Sequence, residues 1–354
     1  MVRPGESVHC ARAGREQVIG GAQSVIGVIR PKGFIRIFVA TFMNNKCVAM
    51  GKGQKKPGKT LDFKTVCECC DCLGCRTLHP LASIVNLEQP DLAEDAVKFE
   101  FYAVLVIEEY PGGCGCCGRK YYDYSEATMV FLMPGEIFRL GRHNALPPKG
   151  WLLAFHPDLL LSTTLKSHIG NYTFFSYHKE EALHLSRCET ATVTCLLERI
   201  EEELHRAIDT HTGTILSRHI ELLLDYCSRF YERQFITREN KNKALLGKLD
   251  ILLRDYMRSG RLGRGQLPSA SYCAAELGLS AAYLTDLLRY ETGRTLDEHF
   301  CVMRLEAAKR MLAEEGRTPR EAAFSLGFPN VQYFSFVFKK VVGVSPGEYH
   351  GPRN

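Results

Sequence analysis

The sequence predicts an α+β, multidomain protein in which a small β-barrel or jelly roll is followed by a helical pair and then by an all-α domain. Short β-prone segments separated by turn residues fill the stretch from about residue 99 to 155, and helical periodicity replaces them from residue 191 onward. The 354 residues also exceed what one compact core usually organises. We therefore expect four parts, with boundaries at 1–58, 59–190, 191–244 and 245–354.

Composition excludes several classes of protein. With 45% apolar and 24% charged residues the chain can bury ordinary cores, so a largely disordered or collagen-like protein is excluded. The best candidate for a membrane span, residues 18–43, is interrupted by three basic side chains, and we find no signal-peptide pattern at the amino terminus. We expect no membrane partner and a cytoplasmic location.

The net charge of +5 is distributed unevenly. Counting Lys, Arg, Asp and Glu gives +9 for residues 1–60, −7 for residues 61–244 and +3 for residues 245–354. An acidic middle beside a basic end is compatible with a nucleic-acid-binding C-terminal domain. The Gly-rich, basic segment 1–58 shows no helical or strand period, and we expect it to be a flexible extension.

Two hydrophobic patterns divide the middle of the chain. Runs rich in β-branched and aromatic residues predict barrel strands at residues 99–108, 120–124, 129–133 and 151–155. Apolar residues then recur at helical spacing in two stretches, 191–208 and 215–231. We expect these amphipathic helices to pack on the barrel, and we predict that residues 191–235 also carry a homodimer interface.

The last part of the chain contains an internal repeat. The repeated positions of the first copy are matched in order by those of the second: Ala274, Leu277, Gly278 and Leu284 by Ala323, Leu326, Gly327 and Phe334. A small residue where two helices cross, a Gly at the turn and an amphipathic second helix are what a helix-turn-helix motif needs. Residues 245–354 are therefore expected to hold two such motifs.

Capping signals agree with this division. Thr318-Pro319-Arg320-Glu321 and Thr295-Leu296-Asp297-Glu298 read as capping boxes, and Ser280 is placed to cap the helix that runs to Glu291. The helix that begins after Thr295 should reach about Glu314 and act as a rigid spacer. Some 18 helical residues span about 27 Å. Two motifs at that separation fit successive major grooves on one face of DNA, where a turn measures about 34–36 Å.

These motifs resemble the DNA-binding domain of AraC/XylS-type transcription regulators. The resemblance rests on Leu-Gly-Leu-Ser-Ala-Ala-Tyr-Leu at 277–284, Arg-Leu-Glu-Ala-Ala-Lys-Arg-Met-Leu at 304–312, Leu-Gly-Phe at 326–328 and Ser-Pro-Gly-Glu-Tyr at 345–349. Upstream, residues 121–123, 131–135 and 150–157 resemble the cupin-type sensor domain of many members of that family. The resemblance thus implies a cupin-like β-barrel ahead of a double helix-turn-helix domain.

The resemblance also implies which residues face DNA. The first recognition helix would present Ala281, Ala282, Thr285, Asp286 and Arg289, and the second would present Asn330, Val331, Gln332, Ser335, Phe336 and Lys339. Their chemistry suits base edges and phosphates, since Gln or Asn pairs with adenine and Arg or Lys reaches guanine or phosphate. Asp286 and Phe336 stand where the family often has Arg. We therefore expect one base contact and one phosphate contact to differ from those of relatives.

The partners implied by the resemblance are double-stranded promoter DNA, RNA polymerase, which is recruited or blocked, and a small-molecule effector. We expect no cofactor. We expect no enzyme either, because His143, His156, His168, His178 and His184 lie scattered and form no His-x-His pair.

A metal- or redox-sensing regulator is the alternative to this interpretation. Three Cys-x-x-Cys pairs have the spacing that places two thiolates on one zinc ion, namely Cys67 with Cys70, Cys72 with Cys75 and Cys114 with Cys117. About 38 residues separate the two tracts, which departs from short zinc modules, and cytosolic Cys is often only a small buried apolar residue. We therefore expect no metal site, with these six cysteines as the candidates if one exists.

Overall fold

A computed structural model of the chain describes residues 60–87, 96–109, 117–121, 123–139 and 149–350. The predicted extension 1–58 lies outside the described residues. The strands are β1 (Thr60–Phe63), β2 (Ala82–Asn86), β3 (Ala96–Phe99), β4 (Tyr102–Glu109), β5 (Ala127–Leu132), β6 (Ile137–Arg139), β7 (Lys149–Phe155) and β8 (Leu183–Leu185). The helices are α1 (Val66–Cys72), α2 (Thr164–His168), α3 (Arg187–Leu204), α4 (Thr212–Thr237), α5 (Glu239–Arg258), α6 (Ala270–Leu277), α7 (Ala281–Thr292), α8 (Leu296–Ala313), α9 (Pro319–Ser325), α10 (Val331–Val342) and α11 (Pro346–His350).

The strands form two sheets that share a core. One sheet has the order β1-β3-β6, and the other has the order β2-β7-β4-β5-β8. Side chains alternate between the faces of a strand, so on β4 Ala103 and Leu105 point toward the three-stranded sheet, where they meet Val97 and Phe99. The chain is therefore α+β and multidomain, as predicted.

Helices α3 and α4 cover the other face of the five-stranded sheet. Val104 of β4 and Phe131 of β5 pack there in one core with Leu197 of α3 and Leu223 of α4. Both predicted amphipathic helices are present. The first ends at Leu204, so Ile208, which was part of the predicted stripe, lies beyond it and is 57% exposed. We call the described residues within 60–237 the upstream domain.

The strand predicted at residues 120–124 is wrong for the part of that stretch that the structure describes. The Asp123 carboxylate accepts a hydrogen bond from the backbone N–H of Lys120 at 2.8 Å, which closes a turn. The same carboxylate receives two hydrogen bonds from the guanidinium of Arg238, each 2.7 Å long. A buried ion pair with a residue 115 positions away therefore outweighs the local β-propensity.

The C-terminal helices enclose two separate cores. The first module consists of α5, α6, α7 and the start of α8, and its core includes Leu253, Leu284 and Phe300. The second module consists of the rest of α8 with α9, α10 and α11, and its core includes Leu305 and Phe334. Helix α8 thus contributes one wall to each module.

The predicted helix boundaries in this domain are confirmed. Thr295 and Thr318 each begin a helix with a complete capping box, and Ser280 accepts a hydrogen bond from the backbone N–H of Tyr283. Helix α8 has 18 residues, which corresponds to about 27 Å. Within the described ranges, no helix combines the length and the apolar character needed to cross a bilayer.

Candidate nucleic-acid interface

The two helix-turn-helix motifs share one turn geometry. In the first, the backbone N–H of Leu279 donates to the carbonyl of Ala274 at 2.9 Å, and in the second, the N–H of Phe328 donates to the carbonyl of Ala323 at 3.0 Å. These bonds satisfy carbonyls left open at the end of the first helix of each motif. The sequence repeat is therefore a repeat of structure.

A buried arginine braces the second motif. The side chain of Arg304 on α8 is buried, its guanidinium lies 4.4 Å from the ring centroid of Phe328, and its Nη1 donates to the carbonyls of Leu326 and Gly327. These carbonyls belong to the turn between α9 and α10. A cation at a helix C-terminus is favourable for the helix dipole as well. Arg304 on α8 thus fixes the orientation of α10 relative to the turn.

Helix α10 turns a polar and aromatic face to solvent. Phe334 and Phe338 point into the module and are fully buried, while Gln332, Phe336 and Lys339 are exposed. The side chain of Phe336 is 66% exposed, so its aromatic ring lies open on this face. Such a face offers an amide and an ammonium for base edges and phosphates, and an aromatic ring for a thymine methyl group.

The other predicted residues of α10 have more structural surroundings. Asn330 is the N-cap, and its Oδ1 accepts from the backbone N–H of Tyr333 at 2.7 Å, so that oxygen already has a partner. Val331 is half-buried and packs against the core of the second module. Ser335 is half-buried. The structure thus places five of the six predicted positions on α10 and Asn330 at its N-cap, and four of the six, Asn330, Gln332, Phe336 and Lys339, are exposed.

Helix α7 has two buried sides. Leu284 and Leu288 point into the core of the first module. Tyr283 and Leu287 belong instead to the core of the upstream domain, together with residues of α4 and the five-stranded sheet. The first recognition helix therefore lies between two cores.

The predicted DNA-facing residues of α7 are only partly open. Ala281 and Ala282 are half-buried, and Ala282 packs against the core of the upstream domain. Thr285 uses its hydroxyl to donate to the carbonyl of Ala281 at 2.8 Å. Asp286 accepts a hydrogen bond from the Tyr177 hydroxyl at 2.8 Å, whereas Arg289 is exposed.

Sequence analysis missed the upstream residues that bind α7. The buried carboxylate of Glu181 accepts from the backbone N–H of Ser280 at 2.7 Å and from its hydroxyl at 2.5 Å. Tyr177 contacts Tyr283 edge to face, with ring centroids 5.2 Å apart. These partners are about 100 residues apart in sequence, and no local pattern marks such a pair.

A buried ion pair lies beneath α7. The side chains of Arg238, at the junction of α4 and α5, and Asp123 are each 1% exposed. Burial opposes ionisation of Asp123, but the hydrogen bonds and charge of Arg238 lower the pKa of this carboxyl below its usual value. Burial and the charge of Arg238 also lower the pKa of His184 to about 4. The junction between the two domains therefore contains a buried ion pair.

The candidate zinc ligands do not form a site in the described residues. Cys114 lies outside them. Cys70 is buried and its Sγ donates to the Ser83 hydroxyl at 3.2 Å, while Cys72 points to solvent from the other side of α1. Cys67 and Cys75 are half-buried, and Cys117 is buried. Among the residues that the structure describes, no three His, Cys, Asp or Glu side chains gather as metal ligands would.

Comparison with known proteins identifies the C-terminal part. A family model described as a helix-turn-helix domain matches residues 273–351. Over 76 residues the chain is 33% identical to an uncharacterized HTH-type transcriptional regulator in the cgkA 5' region of Pseudoalteromonas carrageenovora, which covers 22% of this chain and 45% of that protein. Over 105 residues it is 31% identical to the MmsAB operon regulatory protein of Pseudomonas aeruginosa, covering 29% and 33% respectively. Over 78 residues it is 32% identical to the HTH-type transcriptional activator RhaR of Klebsiella pneumoniae, covering 22% and 27%.

Solved structures are also similar to parts of this chain. The C-terminal domain of AraT, a response regulator from Geobacillus stearothermophilus, is 27% identical and covers 29% of this chain and 83% of its own, with a TM-score of 0.25. ToxT from Vibrio cholerae is 16% identical and covers 76% of this chain and 98% of its own, with a TM-score of 0.27. The chain spans less than half the length of each of the three curated relatives named above.

The pairs α6–α7 and α9–α10 thus form two helix-turn-helix motifs joined by α8. This C-terminal part is similar to AraC-type helix-turn-helix regulators.

Proposed function

We propose that the chain is a sequence-specific transcription regulator that binds double-stranded promoter DNA through its two helix-turn-helix motifs. The observation that carries the proposal is the solvent face of α10, where Gln332, Phe336 and Lys339 stand exposed on a recognition helix held rigidly by α8. An amide that pairs with a base and an ammonium that reaches phosphate are the two kinds of contact that specific binding combines. The proposal assigns the chain no catalytic step and no cofactor.

Matched substitutions test this role. The full chain is first offered random duplexes, and the enriched sequence becomes the operator probe. Lys339→Ala is expected to weaken binding to all sequences and to reduce the slope of log affinity against log salt by about 1, because one phosphate contact is lost. Gln332→Ala is expected to reduce discrimination at one base pair by about 1–3 kcal/mol.

Lys309→Ala supplies the control. Lys309 lies on α8, where it pairs with Glu306 at 2.7 Å, and its substitution removes the same charge from a different helix of the domain. We expect this variant to retain the salt slope of the unmodified chain. Equal behaviour of the Lys339 and Lys309 variants, or no enrichment of any sequence, contradicts the proposal.

We also propose that the upstream domain is a cupin-like jelly roll that senses a small-molecule effector. Support comes from its two sheets packed around one core and from the likeness of residues 131–135 and 150–157 to cupin-type sensors. In this proposal the chain acts in the cytoplasm as a homodimer formed through residues 191–235, and recruits or blocks RNA polymerase. Sedimentation showing a monomer at the concentrations that saturate the operator contradicts the dimer.

A further inference from the structure

One edge of α7 is bound by the upstream domain at several points. The carboxylate of Glu181 accepts hydrogen bonds from the backbone N–H and the hydroxyl of Ser280 at the start of the helix, and the Tyr177 hydroxyl donates to Asp286 six residues later. At the far end, Tyr290 stacks on Phe235, with ring centroids 5.3 Å apart. The contact therefore runs the length of the helix and includes polar bonds as well as packing.

This edge overlaps the face that a recognition helix presents to DNA. Successive residues are 100° apart around a helix, so Asp286 lies on the border between the upstream contact and the face that carries Thr285 and Arg289. An α-helix with its side chains is about 10–12 Å across, and the major groove is about 12 Å wide. A helix that enters the groove fills it, so both of its flanks must be free of other protein.

The second motif provides a comparison within the same chain. Tyr333 stands in α10 where Tyr283 stands in α7, since each directly precedes the matched core residue Phe334 or Leu284. Tyr333 is 50% exposed and Tyr283 is 1% exposed. The same residue type at the same position is thus exposed in one motif and buried in the other, because the upstream domain packs on Tyr283.

We propose that the edge of α7 formed by Ser280, Tyr283, Asp286 and Tyr290 is one surface with two alternative partners, the upstream domain in the free protein and the wall of the major groove in the DNA complex. This inference rests on the proposed function. The second motif then binds DNA first, and the first motif binds only after α7 has separated from Tyr177 and Glu181. The buried carboxylate of Glu181 takes the place of a DNA phosphate, since both are anions at a helix N-terminus.

The double variant Tyr177→Phe with Glu181→Gln tests the competition. It removes the hydroxyl that binds Asp286 and the charge that binds Ser280, with little change in side-chain volume. Because hydrogen bonds to charged groups contribute appreciably to the closed form, we expect operator affinity to rise about tenfold. In footprints, both half-sites should become protected at the same protein concentration, whereas the unmodified chain should protect the half-site of the second motif first.

Glu189→Gln is the matched control. Glu189 pairs with Arg233 inside the upstream domain at 2.7 Å and has no hydrogen bond to α7. This variant also loses one carboxylate, which is half-buried rather than buried. We expect its operator affinity and footprint to equal those of the unmodified chain. A tenfold gain in this control as well would attribute the effect to general loosening of the upstream domain and overturn the proposal.

Hydrogen exchange on the unmodified chain gives a second readout. If α7 leaves the upstream domain when DNA binds, peptides that cover residues 173–182 should exchange faster in the complex, although they touch no DNA. Unchanged exchange there, with both half-sites footprinted, overturns the competition but leaves the proposed function intact. Absence of any footprint, with no effect of Lys339→Ala, overturns the proposed function and this inference together.

Discussion

The two motif turns contain equivalent glycines in different surroundings, and alanine substitution should separate them. Gly278 and Gly327 have φ angles of +68° and +70°, a region that side chains with a Cβ enter at a cost. A Cβ built on Gly278 meets nothing within 4 Å. A Cβ built on Gly327 comes within 2.9 Å of the carbonyl oxygen and 3.0 Å of the Cβ of Leu262, which is buried in the first module.

The difference in stability follows from these distances. Gly278→Ala should cost only the strain of the left-handed conformation, about 1 kcal/mol. Gly327→Ala adds overpacking against backbone that must move, which typically costs 1–3 kcal/mol, so we expect a total of about 3 kcal/mol. For a domain of this size, each kcal/mol lowers the melting temperature by about 4–8 °C.

Thermal unfolding of the two variants, followed by circular dichroism at several scan rates, measures this difference. Gly278→Asn serves as a control, because Asn tolerates the left-handed region better than Ala does. Equal destabilisation by the two alanine substitutions would show that Leu262 can move away from the new Cβ with no loss of folding stability. The reasoning from the steric distances would then be refuted.

Three other predictions address buried groups. The pKa of His184 is lowered from its ordinary value of 6.5 to about 4, so its side chain is neutral in the folded chain between these pH values. The unfolded chain binds a proton there, and the free energy of unfolding should therefore fall by up to about 3 kcal/mol as the pH drops from 6.5 to 4. In urea unfolding at several pH values, His184→Gln should weaken this pH dependence. Asp123→Asn should lower the free energy of unfolding by about 3–5 kcal/mol because it leaves the charge of Arg238 buried without a partner. Asp123→Leu combined with Arg238→Met should lower it by less, and a larger loss of stability in the double variant contradicts this account. Iodoacetamide should label the exposed Cys72, Cys188 and Cys195 in the folded chain. Burial raises the pKa of Cys69 and Cys227, so these two thiols should react only after unfolding. Peptide mass spectrometry identifies the labelled cysteines.

The C-terminal domain could be predicted closely because its signals are local. Capping boxes at Thr295 and Thr318 lie within four residues of the helices they begin. The repeat of Ala274 and Gly278 as Ala323 and Gly327 fixes both turns within a few residues as well. The repeat and the capping signals therefore sufficed to predict both helix-turn-helix motifs and the helix between them.

What sequence analysis missed depends on contacts between distant segments. The pairing of Asp123 with Arg238 replaced a predicted strand by a turn, and the docking of Glu181 on Ser280 covered half of a predicted DNA-facing helix. A carboxylate in a loop gives no indication of which helix N-terminus it will meet. The candidate interface was thus predicted residue by residue, but its accessibility depends on tertiary structure.

If the chain binds DNA as proposed, the shared helix α8 has a consequence for the operator. Helix α8 contributes Phe300 to one core and Leu305 to the other, so both recognition helices pack through their modules on one continuous helix and are not connected only by a loop. One extra base pair between half-sites would rotate the second by about 35° around the duplex, because a turn contains about 10–10.5 base pairs. A continuous helix such as α8 cannot twist enough to follow that rotation. The proposed regulator would therefore tolerate base substitutions within its half-sites better than a change in the spacing between them.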